Sequence, residues 1–383
     1  MDLNPRSANA LLQLGIADMG SPDPIKSQRA FAMLEKSFGR GVDKPVARGF
    51  QQGNLLAGLA GRRRAHLNEY PQAVKYLTIG LEGSPADTCL ALQLATVLSY
   101  YPKSVADADR GYELYHARMD ELLSRPASAA LVRPEHLLMA GHNDPYSHCT
   151  LSLFVHSFYY RGDPASAASK HFQAATRAFP DLLYVAPHLT RQGAKKKQKK
   201  MSETKSGRGS KSVSNGGGKM AAGGRGGGAP CRRIKLGVAS AFFSHASSVT
   251  DDFRGVLERL PRDVFEMTFI YFMESAMPPD PYILEKKDHH LLIHGSAPNW
   301  FESARRDIAN LKLDVLLYLD LTMSTWIQKT AYSRLATVQA TSHGHPVTSG
   351  IPKHIMQYYI SWAAAELPYE QVRNFTIMYY FHK

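Results

Sequence analysis

Cysteine is scarce, with three in 383 residues: Cys89, Cys149 and Cys231. They are far apart, odd in number and in no metal-ligand spacing, which argues against a disulfide framework. No apolar run approaches the roughly 18 residues that a membrane span requires. The opening MDLNPRSANA lacks the basic-then-apolar layout of a secretory signal. These absences predict a cytoplasmic or nuclear protein, or one found in both, with no membrane partner. His289 and His290 are adjacent but have no third ligand at metal spacing, so no metal is expected.

Charge of one sign is also missing over most of the chain. The formal net charge is +13, yet Arg191–Lys235 alone holds 14 basic residues and one acidic residue, Glu203. That local excess equals the whole, so the remainder is balanced. The same stretch carries 11 of the 29 glycines. Such a composition buries too little apolar area to offset the entropy of ordering, so 191–233 reads as a disordered basic linker. A pI near 9.5 would ordinarily point to nucleic acid. Confined to one Gly/Ser/Lys-rich stretch, the charge argues against nucleic acid as the main partner. The cluster Lys195–Lys200 reads as a solvated tether, a nuclear-localisation signal or a nucleic-acid contact.

The linker divides the chain into 1–190 and 234–383. The first part is helical with a period of about 34 residues, the tetratricopeptide spacing in which small residues let paired helices approach. From Gly61 the offsets fall on Ala73, Leu77, Gly80 and Pro85. In 149–182 they fall on Val155, Tyr159, Ala168, Phe172, Ala175 and Pro180, and a looser unit spans 8–45. Repeats of this kind present a protein-binding surface. Asn4 and Pro5 read as the tail of an earlier repeat.

The second part alternates. Strands are expected at Ile234–Ser240, Met267–Phe272, His289–His294, Val315–Leu319, Thr337–Ala340 and Met356–Ile360. Helices are expected at about 250–260, 300–310 and 324–334. That order predicts a parallel, doubly wound Rossmann-like lobe, with ligands at the carboxyl ends of its strands. From the residues alone, His245 is a polar loop histidine or a proton relay. Asp320 is a helix cap or a cleft carboxylate. Gly344–Gly350 is a plain turn or a cradle for phosphate or sugar.

The run from Leu313 to Glu366 resembles the first half of the catalytic region in the SPINDLY / O-linked N-acetylglucosamine transferase family. The resemblance rests on the acidic strand end Asp320, the spacing Arg334-x-x-x-x-Gln339, and the block Gly344-His345-Pro346-x-Thr348-Ser349-Gly350. Residues 234–272 are similar to that family's first strand, histidine loop, helix and second strand, and 90–122 to its joining segment. Departures are Leu321-Thr322 after the fourth strand, His343 before the glycine, and the basic insertion.

The resemblance implies tetratricopeptide repeats over 1–190 and half of a GT-B glycosyltransferase fold over 234–371, with a divergent tail at 372–383. It implies a protein O-glycosyltransferase moving a sugar from a nucleotide-sugar donor to Ser or Thr of protein acceptors held by the repeats. UDP-N-acetylglucosamine (UDP-GlcNAc) is the expected donor, GDP-fucose and UDP-glucose stay open, and no cofactor is expected. His245 would be catalytic. Asp320, Gly344, His345, Pro346, Thr348, Ser349 and Gly350 would line the cleft. The family's second lobe has no counterpart here, so the chain is expected to be truncated after the first lobe and to have little activity alone. A non-enzymatic repeat scaffold is the alternative.

Overall fold

The computed structural model describes residues 70–83, 85, 88–98, 102–125, 163–190, 232–243, 247–273, 288–294, 300–321, 323–342, 349–361 and 378–380. Four described helices precede the basic stretch: α1 (Tyr70–Gly83), α2 (Thr88–Thr96), α3 (Val105–Ser124) and α4 (Pro164–Ala178). Each packs on the next.

Their ends follow capping chemistry. Ser104 accepts the Asp107 N–H at 3.1 Å, and the Asp107 carboxylate accepts the Lys103 N–H at 2.9 Å, so α3 starts with exposed donors satisfied. Asp163 accepts from Ala165 N, and Pro164 follows where its missing N–H loses nothing. The buried face of α4 is mostly alanine, with Ala167, Ala168, Ala174, Ala175 and Ala178 allowing close approach. The Tyr115 hydroxyl then reaches across from α3 to donate to the Ala167 carbonyl at 2.8 Å.

The repeat offsets are described only in pieces. Ala73 and Leu77 on α1 are buried, as are Ala168, Phe172 and Ala175 on α4. Pro180 opens the 3-10 turn Pro180–Leu183 just after α4 ends. Burial at these offsets is what the pattern requires of one helix. A repeat is a pair of helices, and that pairing is not shown among the described residues. The unit at 8–45 lies outside them.

The lobe holds strands β1 (Ile234–Ser240), β2 (Phe265–Met273), β3 (His289–His294), β4 (Val315–Tyr318), β5 (Val338–Ser342), β6 (Tyr358–Ser361) and β7 (Met378–Tyr380). They form one seven-stranded sheet in the order β3-β2-β1-β4-β5-β6-β7. All neighbours are parallel. The order reverses between β1 and β4, the arrangement of a doubly wound Rossmann-like sheet. β7 lies in the segment read as a divergent tail and extends the sheet by one short edge strand.

Both faces are covered, as a parallel sheet requires. Helix α5 (Ser248–Arg259) packs Val249, Phe253 and Leu257 on Val238, Met267 and Phe269. The opposite face meets α6 (Trp300–Leu311), α7 (Thr325–Ala331) and α4 in one continuous core. Within it Trp300 stacks on Trp326 with ring centres 4.4 Å apart. The basic stretch therefore separates two lengths of chain whose side chains share a core.

Candidate functional site

The crevice of such a sheet opens where the strand order reverses, at the carboxyl ends of β1 and β4. β1 leaves through Ala241, Phe242 and Phe243, β4 through Leu319, Asp320 and Leu321, and β5 ends at Ser342.

Asp320 is 2% exposed. Its Oδ2 accepts the Ala241 N–H at 2.9 Å, one step beyond the last rung of the β1–β4 ladder, where Leu319 N donates to Ala239 O at 3.1 Å. The carboxylate thus sets the direction in which β1 exits. The other end of β4 repeats the device: Asp314 Oδ2 accepts Lys235 N at 2.9 Å, and Arg232 donates to Oδ1 at 2.7 Å. That hydrogen bond and the carboxylate charge push the Arg232 guanidinium further above its ordinary value. Asp320 does not cap α7. Ser324 does, accepting from Trp326 N at 3.2 Å and Ile327 N at 3.3 Å.

The hydroxyls around the crevice are bonded to backbone. Thr341 Oγ1 donates to Tyr318 O at 3.1 Å, and Thr250 Oγ1 to Phe242 O at 2.9 Å. Ser240 Oγ accepts Phe242 N at 2.9 Å. These contacts hold the strand exits in place.

Two residues of the glycine block are described. Ser349 Oγ accepts Ile351 N at 3.2 Å, a local turn. Gly350 has φ +64°, and a Cβ there would lie 2.3 Å from the Ala168 carbonyl carbon. Only glycine meets both demands. The block therefore ends in a left-handed turn pressed onto α4. His245, Gly344, His345, Pro346 and Thr348 lie outside the described residues, His245 five positions beyond the last residue of β1.

The Arg334-x-x-x-x-Gln339 spacing turns out to be structural. Gln339 is fully buried. Its Oε1 accepts Leu335 N at 2.5 Å and Ala336 N at 3.3 Å, while Nε2 donates to Ser333 O at 3.0 Å and Ile355 O at 3.3 Å. One side chain thereby ties the approach to β5 to the approach to β6. Arg334 acts through its backbone, donating to Tyr184 O at 2.8 Å and accepting from Ala186 N at 2.9 Å.

Two phenols in this core stay neutral across physiological pH. Burial pushes Tyr332 and Tyr318 well above the usual value, although the Gln328 hydrogen bond pulls Tyr332 back slightly. The Tyr318 hydroxyl has no hydrogen-bond partner among the described residues. Among the described residues no group of three or more His, Cys, Asp or Glu is placed to hold a metal. No described helix is long and apolar enough to cross a membrane.

Sequence reasoning missed the side chains that join α4 to the lobe, chiefly His171, Arg305 and Tyr332. No local periodicity marks them, because each makes its contact across more than a hundred residues of sequence.

No protein-family model matches the chain, and no curated protein sequence matches it. Among solved structures it is similar to a point mutant of the O-GlcNAc transferase of Thermobaculum terrenum. The identity is 16% and the TM-score 0.47, over 94% of this chain and 54% of that one. The chain thus spans about half the length of that structure. A likeness this distant carries neither residue roles nor an activity to the present chain.

Proposed function

We propose that the chain forms part of a protein O-glycosyltransferase that uses a nucleotide-sugar donor, with UDP-GlcNAc the first choice. One coincidence carries the reading. The segments that resemble the O-linked N-acetylglucosamine transferase family follow three adjacent strands of a doubly wound sheet, two of which flank the reversal. Asp320 sits at the exit of β4, the segment containing His245 follows β1, and Gly344–Gly350 follows β5. A parallel sheet alone hosts many chemistries. That the resembling segments come after these strands in sequence supports the narrower choice.

In this reading an acceptor Ser or Thr hydroxyl attacks the anomeric carbon from the face opposite the diphosphate. The carbon–oxygen bond to the diphosphate breaks, and the acceptor proton passes to a base near the cleft, for which His245 is the candidate. Positioning and charge stabilisation supply most of the rate. Asp320 contributes by holding the β1 exit. Gly350 does so by seating the end of the glycine block. The α-helical part would present the polypeptide acceptor.

The test is transfer of radiolabelled sugar from UDP-GlcNAc, GDP-fucose and UDP-glucose to peptide acceptors, using the whole protein that contains these residues. Incorporation from one donor that is lost in His245→Ala supports the reading. No incorporation from any of the three overturns it.

A non-enzymatic scaffold is the second reading. It is favoured by a cavity of about 290 Å³ among α1, α2 and α3, edged by Glu82, Arg118, Glu121 and Arg125. The same assay separates the two readings, since a scaffold transfers nothing.

A further inference from the structure

The end of the helical part and the α/β lobe meet over a surface with the chemistry of a protein interior. At its centre His171 and the Tyr332 hydroxyl are hydrogen-bonded at 2.9 Å, and Gln328 Nε2 donates to the same hydroxyl at 3.1 Å. Phe172 meets the Tyr332 ring edge-on with centres 5.0 Å apart. Ser333 Oγ donates to Leu182 O at 2.9 Å. Arg305 donates to the Asp181 carbonyl and lies over the rings of Tyr184 and Phe301, at 5.1 and 4.4 Å from their centres. The Val185–Arg334 bridge adds two backbone hydrogen bonds, and Gly350 touches the Ala168 backbone.

A tether joins parts that keep their own surfaces, and interfaces between such parts are usually polar and separable. This surface is otherwise. His171, Leu182, Tyr332 and Ser333 are each at most 2% exposed, and the apolar side chains belong to the same continuous core as Trp300 and Ile308. A buried imidazole and phenol bonded to each other across the boundary, and a serine hydroxyl donating to a carbonyl across it, would each lose a partner on separation.

We propose that residues 164–189 are an integral layer of the lobe, an interaction surface whose partner is this chain's own residues on α6, α7 and the turns following α7. The basic stretch then joins two lengths of chain that belong to a single body. The inference is independent of the catalytic reading: it concerns which surfaces hold together, not what the crevice does.

The test uses the full chain with a site-specific protease sequence placed between Gly209 and Gly216. After folding, the chain is cut and passed through size exclusion at about 1 μM. The two pieces are expected to elute together at the mass of the intact chain, with unchanged far-UV circular dichroism. Separate elution of the folded pieces overturns the proposal. A second arm combines Gly350→Val with Arg305→Ala, removing the seat on Ala168 and the contacts to Asp181 and Tyr184. Uncut, this variant is expected to keep the tryptophan emission of the Trp300–Trp326 stack. Cut, its pieces are expected to separate. Continued co-elution of the cut variant would show that some other surface holds the pieces, and would equally overturn the assignment. If the double variant does not fold uncut, Ser333→Ala with Arg305→Ala takes its place, and the unmutated cut protein remains decisive.

Discussion

Two buried side chains in the lobe make opposite predictions although both are polar. Gln339 uses its whole amide, with two acceptor and two donor contacts to backbone groups of Ser333, Leu335, Ala336 and Ile355. Replacing it with leucine leaves those groups buried without partners, at about 1–3 kcal/mol each before relaxation. Gln339→Leu should therefore lower stability by about 3–5 kcal/mol, read as a fall in urea midpoint at unchanged slope. Tyr318 is also fully buried, but its hydroxyl has no partner among the described residues, so the folded state bears a desolvation cost with no bond to them in return. Tyr318→Phe should be neutral or stabilising by up to about 1 kcal/mol in the same titration. A clear loss would mean that this hydroxyl has a partner. Both residues were visible in the sequence as strand-forming positions, Gln339 as part of a recognisable spacing as well. What each does was not, since it depends on which backbone groups meet at the approaches to β5 and β6.

Elements show where local pattern suffices and where it stops. β1 occupies the residues expected from its apolar run, because a central parallel strand must be apolar on both faces, and β3, an edge strand that leaves Leu292 exposed, also falls on its expected residues. α5, α6 and α7 fall within a few residues of their expected ranges. β7 escaped notice: three residues at a sheet edge carry no periodicity, and only pairing with β6 makes them a strand. The start of α3 is a local signal that can be tested directly. Ser104→Ala removes an acceptor for the Asp107 N–H and should cost about 1 kcal/mol. The Asp107 carboxyl is held below its ordinary value chiefly by the Lys103 N–H; desolvation opposes this, and the Arg110 guanidinium adds to it. A carboxylate whose folded value is depressed adds stability above its unfolded value, and that stability disappears as pH falls through the folded one. Amide exchange protection in the first turn of α3 should accordingly fall as pH drops below about 4, and Asp107→Asn should flatten that dependence.

At the scale of the molecule, the basic stretch changes meaning once its two ends belong to one core. Its charge and its length then act separately. Changing Lys195, Lys196, Lys197, Lys199 and Lys200 to glutamine removes five of the 14 positive charges in that stretch and alters none of the residues described in the shared core. The variant should elute from a cation exchanger at lower salt while its unfolding midpoint stays within about 0.5 kcal/mol of the parent. Length works through the entropy of closing a loop, which changes by only about 0.6 kcal/mol per twofold change in residue number. Deleting 201–220 roughly halves the distance in sequence between Thr190 and Arg232, the described residues on either side. For a loop on one body, the shorter chain loses less entropy on folding. The deletion should therefore stabilise by about 0.6 kcal/mol, with one cooperative transition in urea. A tether between independent parts predicts no change in either part's midpoint and two transitions. The sign of that small shift, together with coincidence of the circular dichroism and tryptophan curves, decides whether the stretch closes a loop or joins two bodies.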